Sequence, residues 1–303
     1  MMADDVPVDV ASFREHGYLH IKCAFGVDEV ARYRACLLGK FDMEDTNAQA
    51  TQDMLCDPDT ADFILDPRIV SMVRQLLGQK PVYFGDSSAV MYQSNNDVCT
   101  LHKDNADRHD PDAPDWHGDY PILRVALYLQ DHSRHSGGLV LHAGSHKSVK
   151  RNRKLEVLNE EVLGWLTGRT RYVPTEPGDL VVWNLRTTHG GMGRYIRGPI
   201  RRPITERTQP LFPKFLQSKM SETRLAMFAS YGAEGDHLER YLANLKTRKY
   251  MVEMWRAARY KPDQFAAMEK LGAKLMDMRS EIEADAAAGQ TIGQYTKWRA
   301  LPY

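Results

Sequence analysis

The sequence predicts a mainly β core, a sandwich or a closed jelly roll, flanked by α-helices on both sides. Three observations predict it. Within 82–185 the apolar runs are four to eight residues long and rich in Val, Leu and Tyr. Turn clusters separate them at Ser136-Gly137-Gly138, Ala143-Gly144-Ser145 and Pro177-Gly178-Asp179. On either side of this stretch the apolar spacing becomes helical. Short strands joined by such turns pack face to face or close into a roll.

In chain order, 10–38 reads as a helix, a short strand around 17–21, and a second helix from near Val27, with apolar positions at Val30, Tyr33, Cys36 and Leu37. A further helix is expected over 61–77, its later part opened by Pro67 and its end marked by Gly78. Residues 1–80 thus form an α-helical preface, and 81–232 the β core. From 235 to 303 the helical period returns through Leu238, Tyr241, Leu242 and Leu245, then Met251, Met254 and Trp255, then Met268, Leu271, Leu275 and Met278. These methionines read as core or interface packing, with no cofactor role. With no internal repeat, the expected organisation is one domain spanning 1–303 with a helical C-terminal section.

At 43% hydrophobic and 26% charged residues, the chain has the balance of a soluble globular protein. Forty Lys+Arg against forty Asp+Glu give no net charge, unlike a dedicated nucleic-acid binder. No run nears the roughly 18 apolar residues that cross a bilayer. Asp4, Asp5 and Asp9 stand where a secretory signal needs basic and apolar residues. The expected setting is cytoplasmic, with a small molecule as partner and neither nucleic acid nor membrane. Cys23, Cys36, Cys56 and Cys99 form no C-x-x-C pair and read as reduced thiols packed as small hydrophobes. Charge is unevenly spread: 40–120 holds sixteen acidic and six basic residues, 147–207 thirteen basic and six acidic. Either both are solvated faces, or the basic region is a rim that attracts an anionic substrate.

The residues that carry chemistry begin with His102-Lys103-Asp104, set after an expected strand. Residues two apart on an extended chain share a side, so His102 and Asp104 can grip one ion while Lys103 faces away. His189 comes well downstream, after the strand pattern Leu180-Val181-Val182-Trp183. Two histidines and one carboxylate make the facial set that binds Fe(II) and leaves three coordination positions open. The Asp/His-rich stretch 105–120, with Asp107, His109, Asp110, Asp112, Asp115, His117 and Asp119, matches neither EF-hand nor zinc spacing and reads as a solvated, flexible loop.

Several short motifs, in order, resemble the phytanoyl-CoA dioxygenase (PhyH-like) family of Fe(II)/2-oxoglutarate-dependent oxygenases over roughly 13–231. They are Phe13-Arg14-Glu15-His16-Gly17-Tyr18, His102-Lys103-Asp104, Arg124-Val125-Ala126-Leu127-Tyr128-Leu129-Gln130-Asp131-His132, Gly137-Gly138-Leu139 leading to Gly144-Ser145-His146-Lys147, and the strand before His189. The resemblance implies a double-stranded β-helix core, a cupin-like jelly roll. It implies Fe(II) on His102, Asp104 and His189, 2-oxoglutarate as cosubstrate, and O₂-dependent hydroxylation of a small molecule with release of succinate and CO₂. Halogenating relatives carry a small residue at the carboxylate position, so Asp104 argues for hydroxylation or a related oxidation.

The family also places an arginine on the strand after the distal histidine, to pair with the far carboxylate of 2-oxoglutarate. Arg201 and Arg202 stand at about the usual distance, but between Pro199 and Pro203, poor company for a central strand. Arg224 comes later yet opens Arg224-Leu225-Ala226-Met227-Phe228-Ala229-Ser230-Tyr231, a strand pattern, and is preferred. The proline-interrupted stretch 190–222 then becomes an insertion, read as a mobile lid outside the sandwich whose Arg194 and Arg197 meet an anionic substrate. Arg124 interrupts an apolar strand; a buried salt bridge explains it as well as a cofactor contact. Gln93, Thr188 and Asn184 are further candidates for the cavity wall, Gln93 and Thr188 beside the cofactor. The alternative function is a cupin-like metal-binding protein, a non-redox isomerase or hydrolase or a small-molecule sensor, which needs no 2-oxoglutarate arginine. Both a monomer and a homodimer fit, with Tyr250, Trp255, Tyr260 and Trp298 at a dimer interface or on a cap over the pocket.

Overall fold

The structure is a computed structural model that describes residues 8–42, 47–93, 99–198, 201–219 and 223–295. Asp4 and Asp5 of the N-terminal acidic stretch, Pro199, residues 220–222 and Trp298 lie outside these. The opening section contains α1 (Val10–His16), β1 (Tyr18–Ile21), α2 (Val27–Lys40), β2 (Asn47–Gln49), α3 (Ala61–Ile64) and α4 (Pro67–Leu77). Asp9 caps α1 by accepting from the Ser12 amide at 2.8 Å, and Gly17, at φ 79°, ends it in the left-handed conformation that glycine adopts without strain. The helix expected over 61–77 is two helices. Asp66 caps the second, and Pro67 stands in its first turn, where its missing N–H costs nothing.

The core follows with β3 (Val82–Tyr92), β4 (Ile122–Tyr128) and β5 (Gly138–His142). A helical excursion then runs through α5 (Arg153–Val157), a π-helical stretch (Leu158–Leu163) and α6 (Gly164–Thr167). After it come β6 (Thr170–Val173), β7 (Leu180–Asn184), β8 (His189–Tyr195), β9 (Pro203–Ile204) and β10 (Arg224–Gly232). The end of the chain is α7 (Asp236–Lys246), α8 (Lys249–Ala257), α9 (Pro262–Lys270), β11 (Lys274–Leu275) and α10 (Met278–Ala287).

Two sheets face each other. The larger has the order β1-β7-β4-β10-β3-β11, with β2 also paired to β3; the smaller has the order β6-β5-β8-β9. Both flanking sections therefore contribute edge strands to the jelly roll and are not purely helical. Alternation along β4 shows why it is central: Leu123, Val125 and Leu127 join the cluster under the N-terminal helices, while Ala126 and Tyr128 join the one between the sheets. Trp183, Leu139 and Leu141 complete that inner layer. A third cluster seats α7 and α8 on Phe84 and Ile122 through Leu238, Tyr241 and Trp255, which brings the start of α8 to the mouth of the roll.

The stretch 190–222 is not an insertion from its first residue. Residues 190–195 continue β8 inside the smaller sheet, with Val140 opposite Gly190, and Arg194 pairs with Ile204 of β9. The alternating small residues hid a strand, since Gly190, Gly191 and Gly193 carry no apolar signal. Close packing explains Gly190: a side chain there would meet the Thr100 carbonyl oxygen at 2.6 Å. The stretch 105–120 is solvated only in part: Asp110, Asp112, His117 and Asp119 are exposed, but its base is packed. Asp115 is fully buried, with Arg240 Nε at 3.3 Å and the Asp107 amide donating to it at 3.0 Å. Of the cysteines, Cys99 is buried and Cys36 and Cys56 are half-buried, all unpaired; Cys23 is exposed instead of packed. No helix among the described residues is long and apolar enough to cross a membrane.

Candidate active site

His102 and His189, far apart in sequence, lie directly opposite each other as an antiparallel bridge. Each amide donates to the other's carbonyl, at 2.8 and 2.9 Å, so both side chains leave on the same face with ring centroids 4.6 Å apart. Two residues on, the Asp104 amide donates to the Leu185 carbonyl at 3.0 Å, and its carboxylate returns to that face. Asp104 Oδ1 lies 3.6 Å from His102 Nε2, and Oδ2 lies 3.5 Å from His189 Nε2. One ligand atom from each residue falls within 4.8 Å of the others, the single such group among the described residues.

The ring orientations follow from the second nitrogen. His102 Nδ1 contacts the Thr100 carbonyl at 3.1 Å, and His189 Nδ1 contacts the Thr187 carbonyl at 3.0 Å. A carbonyl only accepts, so Nδ1 carries the proton and Nε2 presents its lone pair. Burial lowers the His189 imidazole to about 4 against the pull of Asp104, which keeps it neutral. Burial raises the Asp104 carboxyl, but positive charge around it, from His189 when protonated, from Arg124 and from His102 when protonated, outweighs this and holds the group below the usual carboxylate range. Its Oδ2 is buried without a hydrogen bond. An ionised, buried oxygen without a donor is costly unless a cation occupies the space between the three side chains.

The three residues open into a cavity of about 570 Å³ between the sheets and the start of α8. Arg224, at the first position of β10, lines it and is 3% exposed. Its Nε donates to the Gly137 carbonyl at 2.6 Å, its guanidinium lies 5.1 Å from the Tyr92 ring, and no carboxylate among the described residues pairs with it. Arg202 lies elsewhere, stacked 4.9 Å from the Trp165 ring and donating to the Leu166 carbonyl. Arg124 is in an ion pair: Nη2 meets Asp86 at 2.7 Å, and Nη1 lies 3.9 Å from Asp104.

Other expected residues are not brought here. Thr188 neighbours His189, so strand alternation turns it to the opposite side, where its hydroxyl donates to Glu160 and meets Lys103. Gln93 contacts the sulfur of Met91 at 3.9 Å and does not line the cavity. Asn184 is occupied by the Tyr120 carbonyl at 2.7 Å. Arg194 and Arg197 are also absent from the wall; the backbone of Arg194 pairs with Ile204 of β9, and the Arg197 amide donates to the Leu216 carbonyl. The wall instead includes Asp86, Met192, Arg248, Tyr250, Met251 and Met254. Met192 has φ 58°, a strained setting for a residue other than glycine and frequent at functional sites. Of these, Tyr250 was expected at a dimer interface or on a cap over the pocket, and Met251 and Met254 carried the helical spacing that reads equally well as core.

The phytanoyl-CoA dioxygenase (PhyH) family model matches residues 13–194, more than half of the chain. The chain belongs to the phytanoyl-CoA dioxygenase family. That is the family of Fe(II)/2-oxoglutarate-dependent oxygenases that its motifs resemble. Among solved structures, HygX from Streptomyces hygroscopicus with nickel and 2-oxoglutarate bound is 21% identical, with 73% of this chain and 84% of that one covered at a TM-score of 0.52. SnoN, a non-heme alpha-ketoglutarate-dependent epimerase from nogalamycin biosynthesis, is 18% identical, with 74% and 79% covered at a TM-score of 0.51. At these identities the likeness shows the fold, the cupin-like double-stranded β-helix. No curated protein matches the chain.

Proposed function

We propose that this member of the phytanoyl-CoA dioxygenase family is an Fe(II)- and 2-oxoglutarate-dependent dioxygenase that hydroxylates a small-molecule substrate. The observation that carries the proposal is the convergence on one cavity of His102, Asp104 and His189 with Arg224, a buried guanidinium without an acidic partner. The donor set fits the metal: two neutral imidazole nitrogens and a carboxylate, with an orphaned Oδ2, suit Fe(II) and leave room for small ligands. With 2-oxoglutarate and O₂, Fe(II) held there would supply the oxidising chemistry, yielding succinate, CO₂ and hydroxylated substrate.

The chain's own part is binding, orientation and exclusion of water. Arg224 would take the distal carboxylate of 2-oxoglutarate through its planar fork, already oriented by the Gly137 carbonyl and the Tyr92 and Tyr128 rings. Arg124, held by Asp86, supports the charge of Asp104 with Nη1 3.9 Å from Oδ2. Trp183, Phe228 and Tyr92 give the cavity apolar walls that exclude water. In the family a small residue at the position of Asp104 accompanies halogenation, so the carboxylate here supports hydroxylation.

The test is anaerobic addition of Fe(II) and 2-oxoglutarate to the full chain. A weak visible charge-transfer band is expected, followed by succinate on admitting O₂. Metal binding with neither band nor succinate would favour the non-redox alternative.

A further inference from the structure

Arg248 is the cavity residue whose charge neither the fold nor the proposed cosubstrate site accounts for. It is the N-cap of α8 and is 8% exposed. Its backbone is pinned by the pairing of 248 with Tyr295 and by the Lys249 amide donating to the Tyr295 carbonyl at 2.9 Å. Nη1 reaches the Tyr250 hydroxyl at 3.3 Å, Nε is buried without a hydrogen bond, and no Asp or Glu among the described residues pairs with the group.

Other well-covered arginines are answered. Arg68 meets Glu29 and Asp66, both at 2.6 Å, and Arg124 meets Asp86 at 2.7 Å. Arg224, without an acid, is assigned to the cosubstrate, and Arg186, also without one, donates to the carbonyls of Asp115 and Gly118 and is stacked beside Trp116 and Tyr120. Of Arg186 and Arg248, only Arg248 borders an open cavity. A buried cation without a counter-charge is costly, and the first turn of a helix adds to the positive potential there.

The charges in the cavity show what is missing. Its wall carries the guanidinium groups of Arg124, Arg224 and Arg248 against the carboxylates of Asp86 and Asp104, an excess of one positive charge. A divalent metal and a dianionic cosubstrate leave that excess unchanged. One further negative charge completes the balance, which suits a monoanionic carboxylate better than a phosphate ester carrying nearly two charges. Met251 and Met254 stand three and six residues after Arg248, on the same stripe of α8, and line the cavity beside it. Adaptable thioether side chains there fit an apolar body attached to the charged end.

Resting on the proposed function, we infer that Arg248, with Tyr250, anchors the carboxylate of the primary substrate, and that this substrate is a small monocarboxylic acid whose apolar part lies along Met251 and Met254. The basic residues between 147 and 207 are not needed for this recognition; the specifying cation comes from the C-terminal helices.

The test uses the full chain loaded with Ni(II) and 2-oxoglutarate. Binding of hexanoate, benzoate, phenylacetate and cinnamate is compared with that of their primary amides by calorimetry and thermal shift. At least one acid should bind about tenfold or more tighter than its amide, as expected for a charge-assisted pair out of water. Arg248→Gln should erase that preference, and Arg248→Lys, which keeps the charge, should retain part of it. Amides binding as well as acids, no binding by any acid, or an acid preference that survives in Arg248→Gln would each overturn the inference. Loss of 2-oxoglutarate binding in Arg248→Gln would overturn it too, by assigning the residue to the cosubstrate. If the wild-type chain fails to bind 2-oxoglutarate, the proposed function falls separately, and the acid and amide comparison is made on the metal-loaded chain, where Arg248→Gln still decides it.

Discussion

His102, Lys103 and Asp104 are consecutive, yet they serve two regions of opposite character. His102 and Asp104 face the central cavity, where Arg224 and Arg248 form no ion pair with an acid among the described residues. Lys103 faces the back, where its Nζ lies 2.7 Å from Glu156 and 2.6 Å from Glu160 and also meets the Thr188 hydroxyl. In the back region the charges are paired with one another inside the protein, one cation between two carboxylates. In the front they are held in place and left to be answered by ligands. Buried charge that is internally paired holds the helical excursion 153–167 on the sheet; buried charge without a partner marks a binding site.

The sharpest way to break this contrast is at Asp104. Asp104→Ala should abolish 2-oxoglutarate-dependent succinate formation, measured by product analysis, while circular dichroism shows the fold retained. Full activity would remove the three-residue site from consideration. At the back, Lys103→Met should leave two buried carboxylates without their cation and destabilise the chain by about 3–5 kcal/mol in urea unfolding, the usual cost of breaking a buried pair from one side. A negligible loss would mean that the cluster is more hydrated than its burial implies.

The next effect separates the two arginines. Arg224→Ala should raise the Michaelis constant for 2-oxoglutarate by tens-fold, in line with the roughly 2–5 kcal/mol lost on truncating one partner of a buried charge pair. Arg202→Ala, which removes a surface stack on Trp165, should change it less than about twofold. The reverse pattern would return the cosubstrate to the arginine at the family's usual spacing.

The smallest effect is a change of slope. Burial, with Lys103 beside it, lowers His142 to about 4 from an ordinary value of 6.5, so the folded state binds this proton more weakly than the unfolded state. Its contribution to stability is complete above pH 6.5 and is lost as pH falls towards 4. His142→Gln should flatten unfolding free energy against pH in that window by up to about 1.4 kcal/mol per pH unit, the limit for one proton. An unchanged slope would show that other buried histidines, such as His132, dominate acid unfolding.

The sequence by itself determined what depends on local period and chain order. Strand alternation set His102 and Asp104 on one side and Lys103 on the other, because successive residues of an extended chain point to opposite faces. The pattern from Arg224 to Tyr231 marked β10, because aromatic and apolar residues in a short run suit a covered sheet. The same rule, carried one residue further, was enough to turn Thr188 away from His189.

Only the tertiary structure decided which charges meet. Nothing in the spacing pairs Arg124 with Asp86, 38 positions away, or brings Arg248 from the C-terminal helices to the cavity that Arg224 lines. The glycines of 190–195 erased the apolar signal of a strand that pairing with β5 and β9 supplies. The acidic stretch 105–120 looked solvated throughout because Arg240, the partner of its inner residues Asp107 and Asp115, comes from α7. Burial and ion pairing depend on what stands across a gap, and a one-dimensional pattern carries information only about neighbours along the chain.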